Sequence, residues 1–210
     1  MTGPAPRPRK PFKTLAAGIE HEIDPIKGSR FLTVARPVSS EAEADAVVTE
    51  CRERWPEASH HCWAWALYDG KRHRSSDDGE PGGSAGRPIL AQLEGRELHD
   101  LVVVVVRWFG GTKLGVGGLI RAYGGAAAKT LDRAELVTVT PKRPLIIDYD
   151  YDLTTAVETT LRELDLSADQ PEFGASVKAR LAIPDADWDA VRGALEEATR
   201  GRITFSEPDA

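Results

Sequence analysis

The run LVVVVVRWF, Leu101 to Phe109, constrains this chain more than any other segment. It is apolar on both alternating faces and rich in β-branched residues, the pattern of a central strand covered on both sides. GGTKLGVGG follows directly. In LIRAYGGAAAKTLDRAE, Leu119, Ile120, Tyr123, Ala126, Ala127 and Leu131 then recur at helical spacing, so strand, glycine loop and helix are written as one unit. One residue breaks the strand's pattern. Arg107, a cation in an otherwise apolar strand, needs a carboxylate partner or an open strand end, and Asp77, Asp78 and Glu80 are the candidates.

Those acids sit in SSDDGEPGGSAGRPIL, Ser75 to Leu90, among four glycines and two prolines. The stretch has three chemical readings: a Mg²⁺ site of hard oxygen ligands, a set of acid/base carboxylates, or a loop that orients cations such as Arg107 and Lys113. The last needs the fewest assumptions. Pro88 falls where a helix begins, which predicts a short helix from Pro88 to about Glu94.

The glycine loop Gly110–Gly118 aims backbone N–H groups at one place, and Lys113 and Arg121 can add positive charge there. It matches neither GxxxxGK[ST] nor GxGxxG, because Lys113 precedes Gly115 and Ile120 stands where a third glycine belongs. Nucleoside-triphosphate and dinucleotide fingerprints are thus excluded on spacing; anion contact and plain turn chemistry both stay open. His60, His61 and Cys62 are adjacent on a strand and point alternately to opposite faces, with no CxxC or HxxxH partner, which argues against zinc. One of the histidines can serve as a general base. No GxSxG is present.

Upstream, MTGPAPRPRKPFK predicts a basic, proline-rich tail over 1–16. SRFLTVARPV reads as a strand, EAEADAVVTECRERW as a helix capped by Ser39 or Ser40, and HHCWAWALYDG as a strand closing in an Asp-Gly turn. In that strand Cys62, Ala64 and Ala66 share one side, and Trp63, Trp65 and Leu67 the other. ELVTVTPKRP makes a last short strand and a linker. Beyond it PLIIDYDYD, TTAVETTLREL, LSADQPEF, ASVKARLAIP, DADWDAVRGALEEATR and RITFSEP give the order βαββαβ, a ferredoxin-like domain, with Asp185 as a natural helix N-cap. The expected division is 1–16 tail, 17–141 first domain and 142–210 second domain.

The net charge of −6 divides unevenly: 1–141 carry 19 Lys+Arg against 18 Asp+Glu, and 142–210 carry 8 against 15. Phosphate contact therefore belongs to the first part, since affinity for a polyanion comes from Lys and Arg displacing counterions. No run approaches the ~18 apolar residues of a membrane helix and no secretion signal opens the chain, so a cytoplasmic location is expected. Cys51 and Cys62 read as reduced thiols.

Taken together, HHCWAWALYDG, SSDDGEPGGSAGRPIL and VVVVVRWFGGTKLGVGGLIRAYGGAA resemble the YigZ/IMPACT family over about residues 20–135, and the tail resembles the second domain of its bacterial members. The resemblance implies an α+β protein. Its first domain would be an α/β sandwich of ribosomal-protein/GHMP-kinase type with a left-handed βαβ crossover, and its second similar to the small domains of elongation factor G. It also implies a role in regulating translation and stress, with RNA, the ribosome or a translation factor as partner, and no established catalytic activity.

The motif positions it carries are His60, His61, Cys62, Asp77, Asp78, Gly79, Glu80, Pro81, Gly86 and Pro88. For nucleic-acid or phosphate contact it carries Arg107, Gly110, Gly111, Lys113, Gly115, Gly117, Gly118, Arg121 and Tyr123. Two other classes remain: an enzyme acting on an anionic small molecule, with His61 as base and Asp78 or Glu80 holding Mg²⁺, and a module whose acidic second domain docks a basic partner.

Overall fold

A computed structural model describes residues 9–68 and 71–208, apart from the side chain of Gln170; the expected Asp-Gly turn at 69–70 lies outside the described residues. The chain divides into two units, Phe12–Val139 and a second that takes Thr140 onward together with Arg9–Pro11. It is a mixed α+β protein.

The Val-rich run forms β6 (Leu101–Trp108), the centre of a five-stranded antiparallel sheet with β2 (Ile19–Ile26), β3 (Ser29–Pro37), β4 (His60–Leu67) and β5 (Arg72–Ser76) in the order β2-β3-β6-β4-β5. Both faces of β6 are covered. Leu101, Val103 and Val105 join Phe31, Ala35, Cys62 and Ala64 beneath α2 (Gly86–Gly95) and α3 (Val116–Leu131). Val102, Val104 and Val106 join Val34, Trp63, Trp65 and Leu67 beneath α1 (Glu41–Arg54). The alternation read from β4 is thus the division between two cores.

Two connections, β3-α1-β4 and β5-α2-β6, join parallel strands across one intervening strand. A half-turn about the sheet normal superimposes their strand directions and shifts, yet α1 and α2 lie on opposite faces. The two crossovers therefore have opposite hands, and one of them is left-handed, against the usual preference.

Local chemistry sets the helix starts. Ser40 is the N-cap of α1, accepting from Glu43 N, while Glu43 reaches back to Ser39 N and Oγ at 2.7 and 2.9 Å. α2 begins two residues before the expected Pro88, because Asp77 supplies the acceptor that Ala85 and Gly86 need.

The expected tail over 1–16 gives way at Arg9. Its guanidinium and backbone N–H bind the Asp185 carboxylate, and β1 (Phe12–Leu15) pairs with β7 (Leu136–Val139). Phe12 stacks on Tyr68 at 4.1 Å, so an apolar ring overrides the composition of the leader. Asp185 correspondingly does not cap a helix: it opens a 3₁₀ turn, Asp185–Asp187, ahead of α5 (Trp188–Thr199).

The second unit orders β8 (Lys142–Tyr149), β9 (Asp169–Phe173), β10 (Val177–Pro184) and β11 (Thr204–Ser206) as β11-β8-β10-β9, all antiparallel. With α4 (Thr154–Glu163) and α5 covering one face, this is the ferredoxin-like arrangement. Cys51 and Cys62 are buried free thiols; burial pushes Cys51 up to about 12 and raises Cys62 further. Among the described residues no helix is long and apolar enough to cross a membrane.

Candidate functional site

The motif residues converge at one end of the first sheet, where β6 finishes, β4 starts and α2 and α3 begin. His60 lies opposite Arg107 in the β4/β6 register, on the face beneath α2 and α3; His61 lies opposite Val106, on the α1 face.

Arg107 finds its carboxylate in Glu80. Its Nη1 donates to Glu80 Oε1 at 2.5 Å, with the two side chains 4% and 5% exposed. Tyr123, wholly buried on α3, donates its hydroxyl to the same oxygen at 2.6 Å, and burial raises its pKa. Nη2 of Arg107 donates to Ser29 Oγ, which also accepts from Gly110 N, each at 3.2 Å. One glutamate thereby ties β6, α3 and the β2–β3 hairpin together. Arg107 and Tyr123, expected at a phosphate, are interior groups that both donate to Glu80, while Arg107 Nε is buried with no hydrogen-bond partner among the described residues.

Asp77 is spent on α2. Its Oδ1 accepts from Ala85 N and Gly86 N at 2.9 and 2.8 Å, and Oδ2 from Gly83 N at 2.8 Å. Burial pulls its pKa upward, but the three backbone donors outweigh it and hold the carboxyl below its ordinary value. Asp78, at φ +43°, turns the other way, taking His61 N at 2.7 Å and Arg52 Nη2 at 2.8 Å. Three neighbouring acids thus serve three separate sets of donors. Among the described residues no group of three or more His, Cys, Asp or Glu side chains is placed to hold a metal ion, and the acids offer Mg²⁺ no shared position.

His60 Nδ1 lies 2.8 Å from the Asp78 carbonyl, an acceptor only, so that nitrogen carries the proton and Nε2 faces Glu80 Oε1 at 3.8 Å. His61 is 6% exposed and its Nε2 meets Trp55 O; burial lowers its pKa. A shared site of His61 with Glu80 is ruled out by the alternation of β4. Cys62 donates its Sγ–H to Asp77 O.

The glycine loop has a different character. Gly110 crosses the β2–β3 hairpin so closely that a Cβ there would stand 1.9 Å from the Gly28 carbonyl carbon. Gly115 enters α3 at φ +71° with no side-chain cap for the first turn. Gly111 and Lys113 are exposed, and Gly118 packs on Leu114. Arg121, also exposed, folds back so that its Nη1 lies 3.7 Å from the Cβ position of Gly117.

Among the described residues neither Lys113 nor Arg121 has a carboxylate or hydrogen-bond partner, so the expected tie between the acids and Lys113 is absent. Of the remaining motif residues, Gly79 (φ +87°) lies beside His60, Pro81 is exposed, Gly86 meets the Ser76 backbone, and Pro88 packs on Gly124. Sequence reasoning missed Ser29 and Arg52, whose roles depend on contacts across 78 and 26 residues, and it missed the exposure of Phe109, Val116 and Ile120.

A model of the Impact N-terminal domain matches residues 27–131, and a domain of unknown function, DUF1949, matches 147–202. The IMPACT family member YigZ of Escherichia coli K12 is 36% identical over 184 residues, covering 86% of this chain and 90% of that protein. A Thermus thermophilus protein described as an IMPACT family member in the pol 5′ region is 40% identical, over 85% of this chain and 97% of its own length. A crystal structure titled only as a hypothetical protein superposes with a TM-score of 0.70 at 33% identity, over 95% of this chain and 98% of its own.

Proposed function

Because this chain belongs to the IMPACT family, we propose that it is a cytoplasmic regulator of translation that acts by binding RNA, free or in the ribosome, through the glycine-loop end of its first domain. The observation that carries this reading is the pair Lys113, on the glycine loop, and Arg121, in the second turn of α3: both exposed, both unpaired among the described residues, with the neighbouring acids Asp78 and Glu80 engaged elsewhere. Phosphates supply the missing partners. The acids take part indirectly, because Glu80 fixes Arg107, and Arg107 with Ser29 fixes the start of the loop. The enzymatic alternative is less supported: His61 lies on the face opposite Glu80, its neighbour Asp78 (Nδ1 to Oδ2, 3.9 Å) is already held by Arg52 and the His61 N–H, and Glu80 Oε1 already takes two donors.

The test is binding of the full chain to purified ribosomes and to RNA over a range of salt, together with protein output in a cell-free translation reaction. We expect log affinity to fall linearly with log salt. In Lys113→Ala plus Arg121→Ala the slope should shrink by about 1.4, at roughly 0.7 per phosphate contact on a single strand, and the effect on translation should disappear. A double variant that binds like the wild type refutes the assignment.

A further inference from the structure

The segment that carries the free cations also carries the largest concentration of exposed apolar side chains in the described part of the molecule. Phe109 is 49% exposed, Val116 54% and Ile120 42%, three of the eight large apolar residues in solvent, within twelve consecutive positions. Val116 and Ile120 lie one turn apart on α3 and share a face. Ile120, which its spacing assigns to the core, points outward instead.

Charge and apolar surface coincide here. No Asp or Glu occurs from Leu101 to Leu131, although the chain has 33 in 210 residues. The nearby acids Glu80 and Asp78 are neutralised by Arg107 and Arg52. The Phe109 ring is also anchored, with the Arg107 guanidinium carbon 5.6 Å from its centroid and that guanidinium locked to Glu80. An anchored ring gives up little conformational freedom on binding.

This combination discriminates between forms of RNA. A duplex offers phosphates and ribose around a closed base stack, which would satisfy Lys113 and Arg121 but press Phe109, Val116 and Ile120 against polar groups. An unpaired strand offers phosphates and free base faces together, and base faces stack on aromatic and aliphatic surface. We propose that the segment Phe109–Arg121 takes single-stranded RNA, with a base on the Phe109 ring, a neighbouring base over Val116 and Ile120, and phosphates on Lys113 and Arg121. This rests on the RNA reading above and narrows it.

The experiment titrates the full chain, by fluorescence anisotropy at fixed salt, with an unstructured 12-nucleotide RNA, with a hairpin duplex of equal phosphate count, and with phosphatidylserine/phosphatidylcholine vesicles. The single strand should bind about tenfold more tightly than the duplex. Phe109→Ala should weaken the single strand about tenfold and leave the duplex unchanged, Phe109→Trp should restore binding, and Ile120→Ser should give a smaller loss in the same direction.

Unchanged melting temperatures establish that the variants fold, as exposure of both residues leads us to expect. Equal affinity for strand and duplex with Phe109→Ala inert, while Lys113→Ala plus Arg121→Ala still abolishes binding, overturns the single-strand inference and leaves the RNA reading standing. Binding to vesicles but to neither RNA overturns both.

Discussion

Two loops lead into two helices at the same end of the first sheet, and they settle their electrostatics in opposite ways. The acidic loop ahead of α2 is closed: Asp77 caps the helix, Asp78 holds Arg52, and Glu80 holds Arg107 and Tyr123. The glycine loop ahead of α3 and the helix's first turns are open, with no side-chain cap and with Lys113 on the loop and Arg121 on the helix in solvent. The abundance of acids in the first loop is therefore a structural feature, while the sparse charges of the second remain available to a partner. Changes in the closed loop should cost stability, and changes in the open loop should cost binding alone.

The sharpest way to break that contrast is at Glu80. Glu80→Gln leaves the Arg107 guanidinium buried without its counter-charge, an arrangement that costs about 3–5 kcal/mol. Chemical unfolding should report the loss through the tryptophans of the first unit, Trp55, Trp63, Trp65 and Trp108. Glu80→Met with Arg107→Met should recover much of it, because an apolar pair removes the stranded charge. A Glu80→Gln protein as stable as the wild type would make the acidic loop as dispensable as the open one.

Gly110→Ala comes next. It lies in the open loop yet belongs mechanically to the closed network, through Ser29. A Cβ at 1.9 Å from Gly28 forces the hairpin aside, at a cost of roughly 1–3 kcal/mol or somewhat more. Gly111→Ala makes a control of a different kind: nothing lies within 4 Å of its Cβ position, so only its φ of +82° is penalised.

Asp77→Asn should be milder, about 1–2 kcal/mol, the usual range for a lost cap. Its signature is pH. The folded-state pKa of Asp77 is depressed, so its contribution is fully present above the ordinary aspartate value near ~4 and is lost as pH falls through the lowered value. Wild type and Asp77→Asn should therefore differ most at neutral pH and converge in acid. A gap that widens in acid would contradict the capping role.

How much of this could be read from the chain follows the same division. β6, α3 and the βαββαβ order were legible because burial on one or two faces imposes a period. The edge strands β2 and β5 were not: Glu20, Glu22 and Asp24 interrupt the first, and RHRSS has no apolar alternation at all. Edge strands carry polar residues against solvent and lose the pattern that identifies a strand.

At the site, the need of Arg107 for a carboxylate was legible, but the choice of Glu80 over Asp77 and Asp78 was not. That choice is made by the path of a loop in which Asp78 itself takes a positive φ. The two histidines show the same limit. Alternation places them on opposite faces, and only the tertiary structure says that His60 is the one beside Glu80.

The smallest expected effect is also the most discriminating. Lys113→Ala and Arg121→Ala, singly or together, remove exposed cations that have no partner among the described residues and should leave unfolding free energy within about 0.5 kcal/mol of the wild type, the range of ordinary surface substitutions. If instead the double variant unfolds more easily, each cation has a structural partner and the open loop is closed after all. Stability unchanged with RNA binding lost is the outcome that separates the two loops by function, because no structural role predicts that pair of results.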